Sequence, residues 1–228
     1  MGLAKLPELA GLVPIRTALH TIWETSPELV GLGRPPLENT AGEIAAIHSL
    51  IGERDRAGKD VIKAVVELRD RGQTKIWDKH FKAWAGNVVP EVATQGRALL
   101  DSVRTNTDTV SASVKDTYRR PRPFITDPTI KIIVAEPHSF SYPSEHASDS
   151  FANATIMSFL DPTDTAKYHR QAEDIAMASV VAGVHHPSDI IAGATLGHAA
   201  AYHGLVTSPF ATAYSAGRMQ GLLRGAAA

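Results

Sequence analysis

Residues 144–205 read SEHASDSFANATIMSFLDPTDTAKYHRQAEDIAMASVVAGVHHPSDIIAGATLGHAAAYHGL, and this stretch decides the fold. A helix is expected to start at Ser144 and run to Leu160. Asp161-Pro162-Thr163-Asp164 is turn chemistry with N-cap candidates. A second helix is expected over roughly Thr165–Val184. Pro187 suits the first turn of a third, running to about Leu205, because the N–H that proline lacks has no helical acceptor there. Ala176, Ala178, Ala182, Gly183, Ala192, Gly193 and Gly197 give these helices small sides. Their backbones can therefore approach closely, which points to tight core packing.

Working outward, Thr40 and Glu43 have capping-box spacing ahead of Ile44, Ile47 and Ile51. Val61, Val65 and Leu68 mark another helix, which Gly72 is placed to end. Ile76, Trp77, Phe81 and Trp84 mark a third, with the aromatic side chains as core. Val88–Thr117 is expected to form one or two more. The prolines of the Arg122–Tyr142 segment make it mostly loop, with a strand-like alternation only at Ile130–Ala135. A last short helix covers Pro209–Leu223. Pro7, Pro14, Pro27, Pro35 and Pro36 make residues 1–39 an irregular arm with one short helix near Ile15–Trp23. The expectation is an all-α protein: a single compact helical domain over residues 40–228, of about eight helices, preceded by that arm.

The 228 residues are 43% hydrophobic and 21% charged, an ordinary globular composition. With 23 basic and 24 acidic residues, there is no general attraction to nucleic acid or to an anionic membrane, so any anion site must be a local cluster. The absence of cysteine rules out disulfides, thiolate metal sites and a cysteine nucleophile. No segment reaches the ~18 continuous apolar residues of a membrane span. The most apolar stretch, Ile190–Val206, is interrupted by His198 and His203. Lys5, Pro7 and Glu8 stand where a signal peptide would carry its apolar run, so the chain as written is expected in the cytoplasm. A trimmed mature form would place it in the periplasm or outside the cell.

Three clusters carry chemistry. Lys115-Asp-Thr-Tyr-Arg119-Arg120-Pro-Arg122-Pro123-Phe124 puts four cations within eight residues. Lys115 and Arg119 share a helix face at i, i+4. Alone, such a run is a solvated basic turn. Tyr142-Pro143-Ser144-Glu145-His146 sits at a loop-to-helix junction, where free N–H groups and the helix dipole favour an anion. Ser144 caps that helix, and its hydroxyl can also reach a phosphate oxygen. In Gly183-Val-His185-His186-Pro187-Ser188-Asp189, a carboxylate four residues after a histidine can fix its tautomer and leave the other ring nitrogen free to attack. Taken singly, that pair is more often a buried histidine satisfied by an aspartate.

In this order, the three clusters resemble the signature of the phosphatidic acid phosphatase type 2 superfamily. That signature is Lys, six residues, Arg-Pro; then Pro-Ser-Gly-His; then Ser-Arg, five residues, His, three residues, Asp. Lys115 with Arg122-Pro123 matches the first part, Pro143, Ser144 and His146 the second, and His185 and Asp189 the third. Within the superfamily the first two clusters look most like the soluble bacterial class A non-specific acid phosphatases. Vanadium-dependent haloperoxidases share the same anion cage.

The resemblance implies an all-helical fold and a metal-independent phosphomonoesterase acting on a small phosphorylated or other anionic substrate. His185 would attack phosphorus, Asp189 would orient it, and His146 would be the acid–base. Lys115, Arg122 and Ser144, with residues at the positions of Glu145 and Ser179, would surround the phosphoryl group. No cofactor is implied, except vanadate if the protein is haloperoxidase-like. Neither nucleic acid nor a membrane span is implied, and a homo-oligomer is compatible.

Two positions depart from the pattern. Ser179 stands in place of the family arginine, after Ala178, and Glu145 in place of the glycine. Losing a charge-assisted contact of that kind costs ~2–4 kcal/mol of transition-state stabilisation, ~10²–10³ in rate. Candidates to replace the charge are Arg119, Arg120, Arg170, Arg218, Arg224 and His186. Glu145 could point away, pair with Arg119 or Arg120, or repel phosphate. An alternative is therefore a repurposed or inactive member that binds an anion or does other chemistry in the same pocket.

Overall fold

The structure, a computed structural model, describes residues 6–25 and 32–225. The side chains of residues 23–25 and 219–225, which include Arg224, lie outside the description. The helices are α1 (Val13–Thr25), α2 (Thr40–Ala57), α3 (Lys59–Gly72), α4 (Lys75–Ala85), α5 (Pro90–Tyr118), α6 (Pro123–Thr126), α7 (Glu145–Leu160), α8 (Thr165–Val181), α9 (Pro187–Thr207) and α10 (Pro209–Gly225). Among the described residues there is no strand, and Ile130–Ala135 is loop. None of the helices is long and apolar enough to cross a membrane. The protein is all-α. The helix beyond those expected is the single turn α6, started by Pro123 at N1.

α7, α8 and α9 form the centre, with α5, α3 and α1 packed around them. Phe151, Ile156 and Met157 of α7, Ile175 and Val180 of α8 and Ile190 of α9 are fully buried. Trp77, Phe81 and Trp84 belong to the same core, as do Leu12, Ile15 and Leu19 from the segment before residue 40. α5 is one helix of 29 residues rather than two. It ends where Arg119 turns left-handed at φ 45°, its N–H donating to the Lys115 carbonyl at 2.8 Å. Arg119 therefore leaves the face it was expected to share with Lys115: Lys115 is buried and Arg119 exposed.

The small residues act at the crossings. A Cβ on Gly193 would lie 2.5 Å from the Ser144 carbonyl oxygen, and one on Gly197 2.2 Å from that of Ser148. α9 thus meets the first turns of α7 backbone to backbone. A Cβ on Gly72 would lie 2.6 Å from Cγ2 of Ile175, so α3 packs closely on the side chains of α8.

α8 stops at Val181, short of the expected Val184, because Gly183 adopts φ 80°, a conformation that other residues rarely take. Buried Arg54 of α2 donates to the terminal Val181 carbonyl at 3.0 Å and to that of Lys131 at 3.2 Å. This short, fixed turn delivers His185. The capping box expected at Thr40 is not formed. Asn39 precedes the helix, Thr40 donates to the Leu37 carbonyl, and Glu43 turns inward to a buried arginine. A buried charge needs its partner more than a helix end needs its cap.

Candidate active site

Every side chain named from the three clusters lies at the meeting point of α5, the 119–144 loop and the starts of α7 and α9, apart from Arg119. His185 Nδ1 faces Asp189 Oδ2 at 3.4 Å, which places the proton on Nδ1 and the lone pair on Nε2. That lone pair accepts from Nη1 of Arg122 at 2.9 Å. Burial, then the neighbouring Arg122 cation, holds the His185 ring well below the usual histidine range, so it is neutral.

Asp189 is fully buried and surrounded by donors: Ser141 Oγ at 2.5 Å, the His186 amide at 2.8 Å and Arg120 at 2.6 Å. Burial alone would push its carboxyl up. The hydrogen bond from His185 and the Arg120 charge outweigh it and keep the carboxylate ionised. Arg120 also donates to Glu43 at 2.5 Å and to Ser188 Oγ at 2.7 Å. It is thus a brace behind Asp189, not a wall of the pocket. His186 lies 4.0 Å from Glu43 on the same side.

The cations converge in front. Nζ of Lys115 donates to the carbonyls of Phe140 (2.8 Å) and Pro143 (2.7 Å), which leaves the third N–H of the ammonium for a ligand. Burial, then Arg122, lowers Lys115 to about 8. Arg122 is held by the Ser139 and Val184 carbonyls at 2.9 and 2.8 Å, and burial lowers it to about 10. Ser144 caps α7 through the Ala147 amide, and its own amide donates to the Asp189 carbonyl at 2.9 Å. The Glu145 and His146 amides, at the first turn of α7, have no acceptor within the helix. His146 donates from Nε2 to the Arg69 carbonyl at 3.2 Å, which leaves Nδ1 for a second proton. Burial, then the Arg69 cation, lowers it to about 3.

Glu145 pairs with neither Arg119 nor Arg120. Its carboxylate accepts from Gln73 at 3.2 Å, and its oxygens come within 4.8 Å of those of Asp108 and Asp149. Burial, then the nearby Asp108, pushes the Asp149 carboxyl up, which favours a shared proton over paired negative charges. Among the described residues, this is the only group of three or more such side chains whose ligand atoms lie close enough to hold a metal ion together.

The Ser179 corner is filled from an unexpected direction. Nη1 of Arg69, on α3, donates to the fully buried Ser179 hydroxyl at 2.5 Å. Among the described residues, none of the candidate replacements named from the sequence is there. Arg119 and Arg170 are exposed, Arg120 sits behind Asp189 with His186 beside it, and Arg218 donates to the Phe159 carbonyl. No local motif marks Arg69 or Gln73. The only signal is a helix, Val61–Gly72, whose core face they flank.

The arrangement is a set of buried cations beside a neutral, oriented histidine, a chemistry suited to a tetrahedral oxyanion. The family model of the PAP2 superfamily matches residues 99–212, half of the chain. The chain belongs to the PAP2 superfamily. The PAP2 match takes in Lys115, Arg122, Ser144, His146, Ser179, His185 and Asp189, and leaves out Glu43, Arg69 and Gln73. A similar solved structure is the first transmembrane PAP2 type phosphatidylglycerolphosphate phosphatase from Bacillus subtilis. It is 16% identical over 74% of this chain and 94% of that one, with a TM-score of 0.38. Among curated proteins no sequence matches.

Proposed function

We propose that this PAP2 protein is a phosphomonoester hydrolase that works through a phospho-histidine at His185. One observation carries the reading: the Nε2 lone pair of His185, oriented from behind by Asp189, opens among Lys115, Arg122 and the start of α7. The phosphoryl oxygens would take the third N–H of Lys115, the guanidinium of Arg122 and the first-turn amides of α7. Arg122 would exchange its contact with Nε2 for one with the substrate, which frees the lone pair.

Nε2 then attacks phosphorus in line with the ester oxygen. The N–P bond forms as the P–O bond breaks, and protonated His146 gives its Nδ1 proton to the departing alkoxide. In the second half, neutral His146 takes a proton from water, the hydroxide attacks phosphorus, the N–P bond breaks, and phosphate leaves. Asp189 and its brace, Arg120, hold the ring in register throughout. Vanadate has the same tetrahedral shape and would use the same donors; when bound it would supply peroxide activation of the haloperoxidase kind.

The test is phosphate release from an aryl phosphate and a nucleotide panel by metal-free protein, from about pH 4 to about 8, with His185→Ala as control. Turnover that disappears in the variant, with phosphate trapped on His185 in acid-sensitive form, is the expected result. Wild-type turnover retained by His185→Ala would remove it as nucleophile. Activity appearing only with vanadate, peroxide and halide would move the protein to the haloperoxidase reading.

A further inference from the structure

We propose that Arg69 is a phosphoryl-binding residue of this site, a guanidinium brought by α3 to the corner that Ser179 leaves open on α8. The proposal rests on the phosphatase reading for the role it assigns, but its anion contact can be tested without turnover.

The geometry is specific. Arg69 reaches across from α3 and bonds the side chain of Ser179 itself, so its charge stands where a longer side chain at 179 would carry one. The reach depends on the close crossing of the two helices. Gly72, three residues after Arg69, lies against Ile175, four residues before Ser179. Two helices in contact at that level bring Arg69 and Ser179 together on the pocket side. Ser179 is too short to bind a substrate, yet it accepts one N–H and fixes the fork. A guanidinium has five N–H donors, so others remain for an oxyanion.

Arg69 also lies within the electrostatic reach of the other site groups. Burial, then the Arg122 charge, lowers it to about 10, and its own charge helps keep His146 neutral. Among the described residues no carboxylate forms an ion pair with it. Asp70 and Glu145 offset part of the cost of burying it through space, but neither forms a salt bridge with it, and its side-chain partner is a neutral hydroxyl, so an anion at this corner would add compensation. The backbone of the same residue accepts the hydrogen bond of His146. One turn on, Gln73 restrains Glu145, the acidic side chain that would otherwise oppose the anion. α3 and the residue that follows it thus contribute a cation, an anchor for the acid–base and a tether for the misplaced carboxylate, all from outside the span that the family model matches.

The experiment compares wild type, Arg69→Ala, Arg69→Met, Arg69→Ala with Ser179→Arg, and Ser179→Arg alone. The readouts are kcat/KM on an aryl phosphate and, without turnover, the affinity for orthovanadate by calorimetry. Loss of the guanidinium is expected to lower kcat/KM by about 10²–10³ and to weaken vanadate binding at least about tenfold. The double variant, which moves the charge onto α8, is expected to recover at least about tenfold of each. Ser179→Arg alone is expected to give no gain, because the corner is already occupied. Arg69→Met keeps the apolar stem and serves if the alanine variant does not fold. Vanadate affinity and kcat/KM within about threefold of wild type in a folded Arg69→Met protein would overturn the proposal. If no phosphatase turnover is found, the phosphatase reading fails, and vanadate binding alone still decides the anion contact of Arg69.

Discussion

In the proposed mechanism His146 has to change its charge state, and its surroundings hold it in the wrong one. Burial and the Arg69 cation lower it to about 3, so at neutral pH it is a base with no proton to give. An oxyanion placed among Lys115, Arg122 and Arg69 would offset the cationic part of that depression, leaving the part due to burial, and would raise its pKa. Binding and protonation are then linked, and each strengthens the other. At about pH 5.5, vanadate binding is expected to take up as much as one proton, read by calorimetry in two buffers of different ionisation enthalpy. The uptake should vanish in His146→Gln. Anion binding with no proton uptake in wild type would contradict the acid role. At this scale the sequence is most readable where function sits on neighbouring residues. His185 and Asp189 are four apart and meet across one helix start, so spacing reveals the pair. Arg69 and Ser179 are 110 positions apart and meet only because two helices cross, which no local pattern records.

At the scale of elements, the α7–α9 crossing positions the site. Ser144, at the start of α7, is tied by its amide to the Asp189 carbonyl, and Gly193 and Gly197 let the two backbones come together there. Gly197→Ala would drive a methyl group into the Ser148 carbonyl and must separate the helices. It is expected to destabilise the fold by about 1–3 kcal/mol and to lower phosphatase activity beyond what unfolding explains. Gly52→Ala on α2, where nothing lies within 4 Å of the added carbon, is the matched control and should be neutral or stabilising by up to about 1 kcal/mol. Thermal melts with activity at a temperature where both are folded would check this; equal melting temperatures for the two variants would refute it. The small residues announce close packing in the sequence, and the helix periods announce the elements. The partners of Glu43 are hidden there. Its spacing from Thr40 suggests a local cap, but it serves Arg120 and the Ser188 amide instead, because a buried ion pair overrides a surface preference.

For the whole molecule, the decisive quantity is the number of uncharged histidines in the interior. His80, His169, His185 and His198 are all buried, and burial comes first among the causes that hold each below its ordinary value; His80 and His198 lie near 4 and His169 near 3. Unfolding exposes them to charge as soon as the pH falls below about 6.5. Stability is therefore fully present above that value and is lost progressively as pH falls toward the folded-state values. Asp149 and Glu173, which burial pushes up, act in the opposite sense but are fewer. The melting temperature is expected to drop steeply between about pH 6.5 and about 4, with net proton uptake on unfolding. A flat profile over that range would mean that these rings are charged in the folded protein. The sequence shows ten histidines but not which are dry.

The bond from Arg69 to Ser179 has a consequence for how such proteins are recognised. The guanidinium that reaches this corner comes from a neighbouring helix: far along the chain, but only a side chain's width in space. A consensus pattern that demands arginine six places before the attacking histidine would discard this chain as defective. A pattern that asks which guanidinium reaches that corner, from whatever helix, would keep it.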